Sequence, residues 1–190
     1  VDNFSMLPQR LSVDDLLQRH RPVSSRTGEN LFWLGRYTER TEQLVRLARS
    51  TLMLIDASEE APAPLRQALS QIAVRTGLAP SGVPTLLQSA RHFERAVLAG
   101  LTDERGANSV AYNLAALERS ALALRERLSP EQWGLMRSMR ESFARALEAP
   151  EDELPVLAQV LPALDRLTLQ LAAATGAQTD RMTRDHGWRL

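Results

Sequence analysis

The chain contains no cysteine. Disulfides, thiolate nucleophiles and cysteine-based zinc sites are therefore excluded. Lysine is absent too: every basic side chain is an arginine, a bias of the kind a GC-rich genome produces. Schiff-base chemistry and the phosphate-binding lysine of a P-loop are excluded with it. Histidine occurs only as His20, His92 and His186, and none pairs with another at a metal-ligand spacing such as H-x-x-x-H. No metal or cofactor is expected. Neither sign of charge dominates, and the formal net charge is zero. A neutral chain has no long-range pull toward nucleic acid or an anionic membrane. No apolar run approaches the roughly 20 residues a membrane helix needs, and no charged-then-apolar leader is present. The cytoplasm is the expected compartment, with neither nucleic acid nor membrane as partner.

What is present is helix. An apolar fraction of 44% over 190 residues suits one soluble domain with a real core. Residues 1–24 read as a lead-in, in which Pro8 and Pro22 bracket a short amphipathic turn. A first long helix is predicted over about Thr27 to Ala57, with Ser25 or Thr27 as N-cap. A second covers about Pro64 to Thr76, with Leu65, Leu69 and Ile72 on its core face and Gly77 at C′. A third covers about Val83 to Ala99, carrying Leu86, Ala90, Phe93 and Val97, and Gly100 ends it. The fourth starts near Asn108 or Ser109 and runs to Leu128. The fifth opens on "SPEQ", where Ser129 caps, Pro130 takes N1 and Gln132 closes a capping box. Trp133, Met136, Arg140, Phe143 and Leu147 follow at helical spacing. A sixth reaches Thr175, with a kink or join at Pro162 and an end at Gly176. No strand or hairpin pattern appears. The expected fold is all-α, an antiparallel bundle of about six to seven helices.

The first helix is the most informative. At about 100° per residue, Leu34, Thr41, Val45, Ala48, Leu52 and Ile55 share one side. The opposite face holds Phe32, Leu47 and Leu54 among its arginines. A helix apolar on more than one side is expected to be central in its bundle. Arg36–Glu39 and Glu42–Arg46 are spaced as helical ion pairs, and Arg49 lies one turn further on near Glu42. In a central helix these charges are expected to bond between helices. Gly35, on the same edge, would let a backbone or a ligand approach closely. Three readings follow for this Arg-Glu face. It ties helices together, it lines a pocket for an anionic or peptide-like ligand, or it binds a partner.

Elsewhere the signals are structural. Glu59-Glu60 and Glu151-Asp152-Glu153 read as solvated turns or helix starts. His92 sits off its helix's apolar centre and suits a surface or interhelical hydrogen bond. Ser24, Ser25 and Thr27 read as caps rather than nucleophiles.

The string "SRTGENLFWLGRYTERTEQLVRLAR" closely resembles the opening motif of the bacterial Alpha-E family, helical domains with an ER motif and no established activity. The positions that carry the match are Ser25, Arg26, Glu29, Asn30, Leu31, Trp33, Leu34, Gly35, Arg36, Glu39, Arg40 and Glu42. Asn108, Ser109, Arg125 and Trp133 resemble the family's middle helix pair. Met182, Arg184, Gly187 and Trp188 resemble its late motif. Adding Tyr37, the resemblance and the residue reading together single out Glu29, Asn30, Trp33, Arg36, Tyr37, Glu39, Arg40, Glu42, Arg184 and Trp188 as the candidate cluster.

The resemblance carries further expectations. The family has a second helix of this type after the Gly-Trp element, so a chain from Val1 to Leu190 is expected to be a segment of a longer protein. The lead-in looks like that of long members in which a circularly permuted ATP-grasp domain precedes Alpha-E. Such a parent implies an ATP-dependent amide-ligase system, with this part as a non-catalytic accessory or substrate-binding module. No residue of this chain shows ATP-grasp chemistry itself. The alternatives are an enzyme with an Arg/Glu-lined pocket on the first helix and a purely structural oligomerisation bundle.

Overall fold

Ser24, rather than Ser25 or Thr27, caps the first helix, because its extended backbone lets its hydroxyl accept from the Thr27 N–H at 3.1 Å. That helix, α1, runs Ser25–Asp56, a length of about 48 Å at 1.5 Å per residue. In the computed structural model, residues 24–57, 61–148 and 157–181 are described, with side chains through residue 176. The predicted core stripe of α1 is buried at every position, and Leu44 and Thr51 join it. The two buried threonines are satisfied within the helix: Thr41 donates to the Tyr37 carbonyl at 2.7 Å and Thr51 to Leu47 at 2.8 Å. As expected of a central helix, α1 touches four neighbours.

Those neighbours are α2 (Ala63–Thr76), α3 (Ala90–Thr102), α4 (Val110–Ala123) and α6 (Leu157–Arg181). Between α4 and α6 comes α5 (Pro130–Ala146), which packs on both. The described residues are helical with no strand, and none of their helices is long and apolar enough to cross a membrane.

Four boundaries and one face differ from the sequence reading. The third helix begins at Ala90, capped by Ser89, and not at Val83. Leu86 keeps the apolar period yet lies in the preceding turn, buried because its N–H donates to Ser70 Oγ at 3.0 Å. Gly100 lies inside α3, which continues to Thr102. The fourth helix stops at Ala123, and a 3₁₀ turn, Arg125–Arg127, follows. Pro130 requires extended backbone at Ser129, which has φ −67° and ψ 155°, so the helix cannot run through. Gly176 does not end α6; the helix runs unbroken to Arg181 and contains Pro162 in its second turn.

The face concerns α2. Its Leu65 and Ile72 are 47% and 45% exposed, while Ser70 and Ala73 are buried. Small residues let α2 sit close to the turn that Ser70 holds, and Leu65 and Ile72 face out with Leu69 half-buried between them. The local terminators behave as read: Gly77 adopts φ 78°, and the Ser129–Gln132 capping box is complete.

Candidate functional site

The ER motif, Glu39-Arg40, lies on α1 between the buried Leu34 and Thr41, and Leu31 and Tyr37 pack against the core beside it. Below Leu34, no residue of α1 is buried. Phe32 is 63% exposed and Trp33 40%, with Glu29 exposed and Asn30 half-buried beside them. Trp33 stacks on Tyr37 at a ring separation of 5.6 Å, and Phe32 meets Trp33 edge-on at 5.4 Å. Arg36 bonds Glu39 at 3.3 Å, and both side chains are more than half exposed. Glu42 pairs with Arg46 one turn further on.

These two pairs correct an expectation. They lie within α1 and tie no helices together, because i, i+3 and i, i+4 partners are nearest on the same surface. As exposed pairs each contributes only a few tenths of a kcal/mol. Arg49 does bond between helices, as expected of a central helix: it pairs with Asp165 of α6. Gly35 has open space where a side chain would stand, so no described group uses the close approach it permits.

Arg40 is the exception within the motif. Its guanidinium donates to the Ala107 carbonyl at 3.3 Å and to Asn108 Oδ1 at 3.2 Å. This joins two residues that the sequence singled out separately, 68 positions apart. The Ala107 carbonyl also accepts from Asn113 Nδ2 at 2.9 Å, and that nitrogen reaches Ser109 O at 2.7 Å as well. Asn113, fully buried, was not singled out by sequence; a polar residue on the apolar side of the fourth helix was the available signal. The motif thus divides. Arg40 anchors α1 to the loop before α4, while Glu39 on the next position faces water.

The anchor is testable. Arg40→Met should lower unfolding stability by about 0.5–1.5 kcal/mol, the net worth of its lost hydrogen bonds. Arg36→Met should change it by less than about 0.5 kcal/mol, as for an exposed pair. Urea titration of both variants separates the roles. Equal losses would contradict the division.

The candidate positions Arg184 and Trp188 lie outside the described residues, as do His20, His186, Met182, Gly187, Glu59-Glu60 and Glu151-Asp152-Glu153. His92 is exposed, and its Nδ1 lies 2.7 Å from Ser89 Oγ, a hydrogen bond at a helix cap. No cluster of three or more His, Asp or Glu side chains among the described residues is placed to hold a metal ion.

A second feature stands apart from α1. A cavity of about 380 Å³ opens between the start of α4 and the end of α5, which run antiparallel there. Leu114, Phe143 and Leu147 form its apolar wall. At its rim Arg140 bonds Glu118 at 3.1 Å and approaches Glu104 at 3.6 Å. The Glu118 hydrogen bond is the main cause of a guanidinium pKa raised above its usual value, against a smaller opposing effect of burial. Sequence reasoning missed this site. An arginine on the apolar period of the fifth helix was its one visible sign.

The comparison with family models matches residues 23–190 to Alpha-E, described as a predicted alpha-helical domain with a conserved ER motif. No curated protein and no solved structure matches the chain. The match covers nearly the whole sequence, including the exposed aromatic-ER surface and the Arg40 anchor, and the helical architecture agrees with it. The chain belongs to the Alpha-E family.

Proposed function

We propose that this domain is a non-catalytic binding module of an ATP-dependent amide-ligase system, and that the outer half of α1 receives a peptide-like partner. One observation carries the reading. Phe32, Trp33, Arg36 and Glu39 stand exposed on a helix whose other half is core, with Arg40 fixing its direction. Rigid aromatics beside an arginine and a carboxylate are the groups that dominate protein recognition surfaces. The resemblance of the lead-in to ATP-grasp parents supplies the system, and an ATP-dependent reaction implies a cytoplasmic setting. An enzymatic role for Glu39 and Arg36 fits less well. Both lie in water, without the enclosed, low-dielectric surroundings that acid–base and electrostatic catalysis use.

The test is an ATP-dependent ligation assay of the parent protein with a peptide acceptor. Deleting this domain should abolish turnover at low acceptor concentration. Glu39→Gln should raise KM by roughly three- to tenfold with kcat unchanged, the signature of lost uniform binding. Unchanged rates in both variants would sink any active role. A fall in kcat alone would favour the enzymatic reading.

A further inference from the structure

We infer that α2 and the turn that follows it dock an acidic amphipathic helix of a partner protein. No residue of α1 takes part, so this surface is separate from the aromatic surface of that helix. The sequence places Leu65, Leu69 and Ile72 on a core face, yet folding leaves Leu65 and Ile72 exposed and Leu69 half-buried. Leu65, Ala68, Leu69 and Ile72 stand at i, i+3, i+4 and i+7. Four residues at that spacing form the hole that receives a knob from a facing helix. Ala68 is exposed, and its small side chain leaves the hole open. The same period selects the occupant. Another helix presents ridges that fit it, whereas an extended strand, with its period of two, does not. Leu87 adds exposed apolar surface on the turn, where the neighbouring Leu86 N–H donates to Ser70 Oγ of α2 at 3.0 Å.

Charge gives the partner its sign. Between Ala61 and Ala90 the only charged side chains are Arg66 and Arg75, in a chain that is 24% charged overall. Depletion of charge distinguishes the core of an interface from ordinary protein surface. Here the depletion is one-sided, since every acid is missing and the cations remain. The nearest acids in sequence are Glu60 and Glu94. Among the described residues neither arginine has an ion pair. Arg75 is exposed one turn from Ile72, and Arg66 is half-buried, with its Nε buried and without a hydrogen-bond partner among the described residues. A guanidinium left in that state is completed by a carboxylate from outside. A second copy of this chain fits poorly. Two α2 faces together would bring their arginines into one contact with no acid to offset them, and like charges across an interface cost binding energy. An anionic membrane fits poorly too. α2 is 14 residues long with two arginines, while interfacial helices are rich in basic residues and carry a large apolar face.

The probe is a three-heptad peptide with leucine at a and d and glutamate at the flanking positions, titrated into the 190-residue chain and followed by amide and methyl NMR. It should shift the signals of Leu65, Ala68 and Ile72 saturably. The same peptide with lysine in place of glutamate should bind about tenfold more weakly, the share of one charge-assisted contact. Ala68→Gln, at an exposed helix position, fills the hole and should abolish the shifts while the melting temperature confirms the fold. Arg66→Gln with Arg75→Gln, checked for folding in the same way, should bring the glutamate and lysine peptides to equal affinity. No saturable shift from the glutamate peptide at millimolar concentration would overturn the proposal. So would a lysine peptide that binds as tightly, or shifts that persist in Ala68→Gln. Concentration-dependent dimerisation through the same residues would overturn it in favour of a second copy. Shifts caused by phosphatidylglycerol vesicles and not by the peptide would overturn it in favour of a membrane.

Discussion

Phe93→Ala is expected to be the most damaging single truncation in this fold, lowering stability by about 3–5 kcal/mol. Phe93 is the largest fully buried side chain among the described residues and sits in α3, a helix of only 13 residues. Its removal takes away transfer free energy and leaves a void that neighbours fill only in part. For a chain of this size the loss translates into a fall in melting temperature of roughly 6–20 °C. The matched control is Phe32→Ala. Phe32 has the same chemistry but is 63% exposed, so its truncation should change stability by less than about 0.5 kcal/mol. Calorimetry of the pair tests more than the core. A loss at Phe32 approaching that at Phe93 would mean the outer half of α1 is covered in solution. It would remove the observation on which the binding reading rests.

The two phenylalanines also mark what the sequence makes legible. Local rules worked where the physics is local. The buried stripe from Leu34 to Ile55 follows from helical period alone, over a helix long enough to average out noise. Ser109 and Ser129 were readable as caps because a hydroxyl satisfies N–H groups only two or three residues on. The Arg36–Glu39 and Glu42–Arg46 pairs were readable for the same reason.

Apart from the Ser24 cap and the stop before Pro130, which are local, the failures are long-range. Leu86 kept the period of α3 while its N–H was claimed by Ser70, 16 residues away. Leu65 and Ile72 have the right spacing for a core face, yet neighbours selected the side of α2 with Ser70 and Ala73. Arg40 reads identically to Arg36 in the motif, and only the loop at Ala107 and Asn108 distinguishes anchor from exposed pair. Arg140 stands at helical spacing with the apolar residues of α5. Its meaning lies in Glu118 and Glu104 on other elements. The candidate positions on α1 were legible as parts of one helix surface, and the division of that surface into an anchored part and a presented part was not.

Gly100→Ala sets a local rule directly against a long-range contact. Helix propensity alone predicts a gain of about 1 kcal/mol, since Gly100 lies inside α3. The packing predicts the opposite sign. A methyl group there would overlap the Leu78 carbonyl oxygen and lie 3.4 Å from its carbon. That carbonyl has nowhere to go. Leu78 is fully buried, Gly77 fixes the turn before it at φ 78°, and the Ala79 N–H is bonded to Ala73 O at 3.1 Å. Either α3 moves out or the turn unwinds, and overpacking of this kind costs about 1–3 kcal/mol. The expected net result is a destabilised protein with a lower urea midpoint and an unchanged m-value. Gly134→Ala provides the contrast. Gly134 lies inside α5, and a methyl group there meets nothing within 4 Å. It should stabilise by about 0.5–1 kcal/mol. Opposite signs in the two variants would establish that the turn at Leu78 is locked against α3. Stabilisation by both would show that the turn yields, and that α3 is held by its apolar face alone.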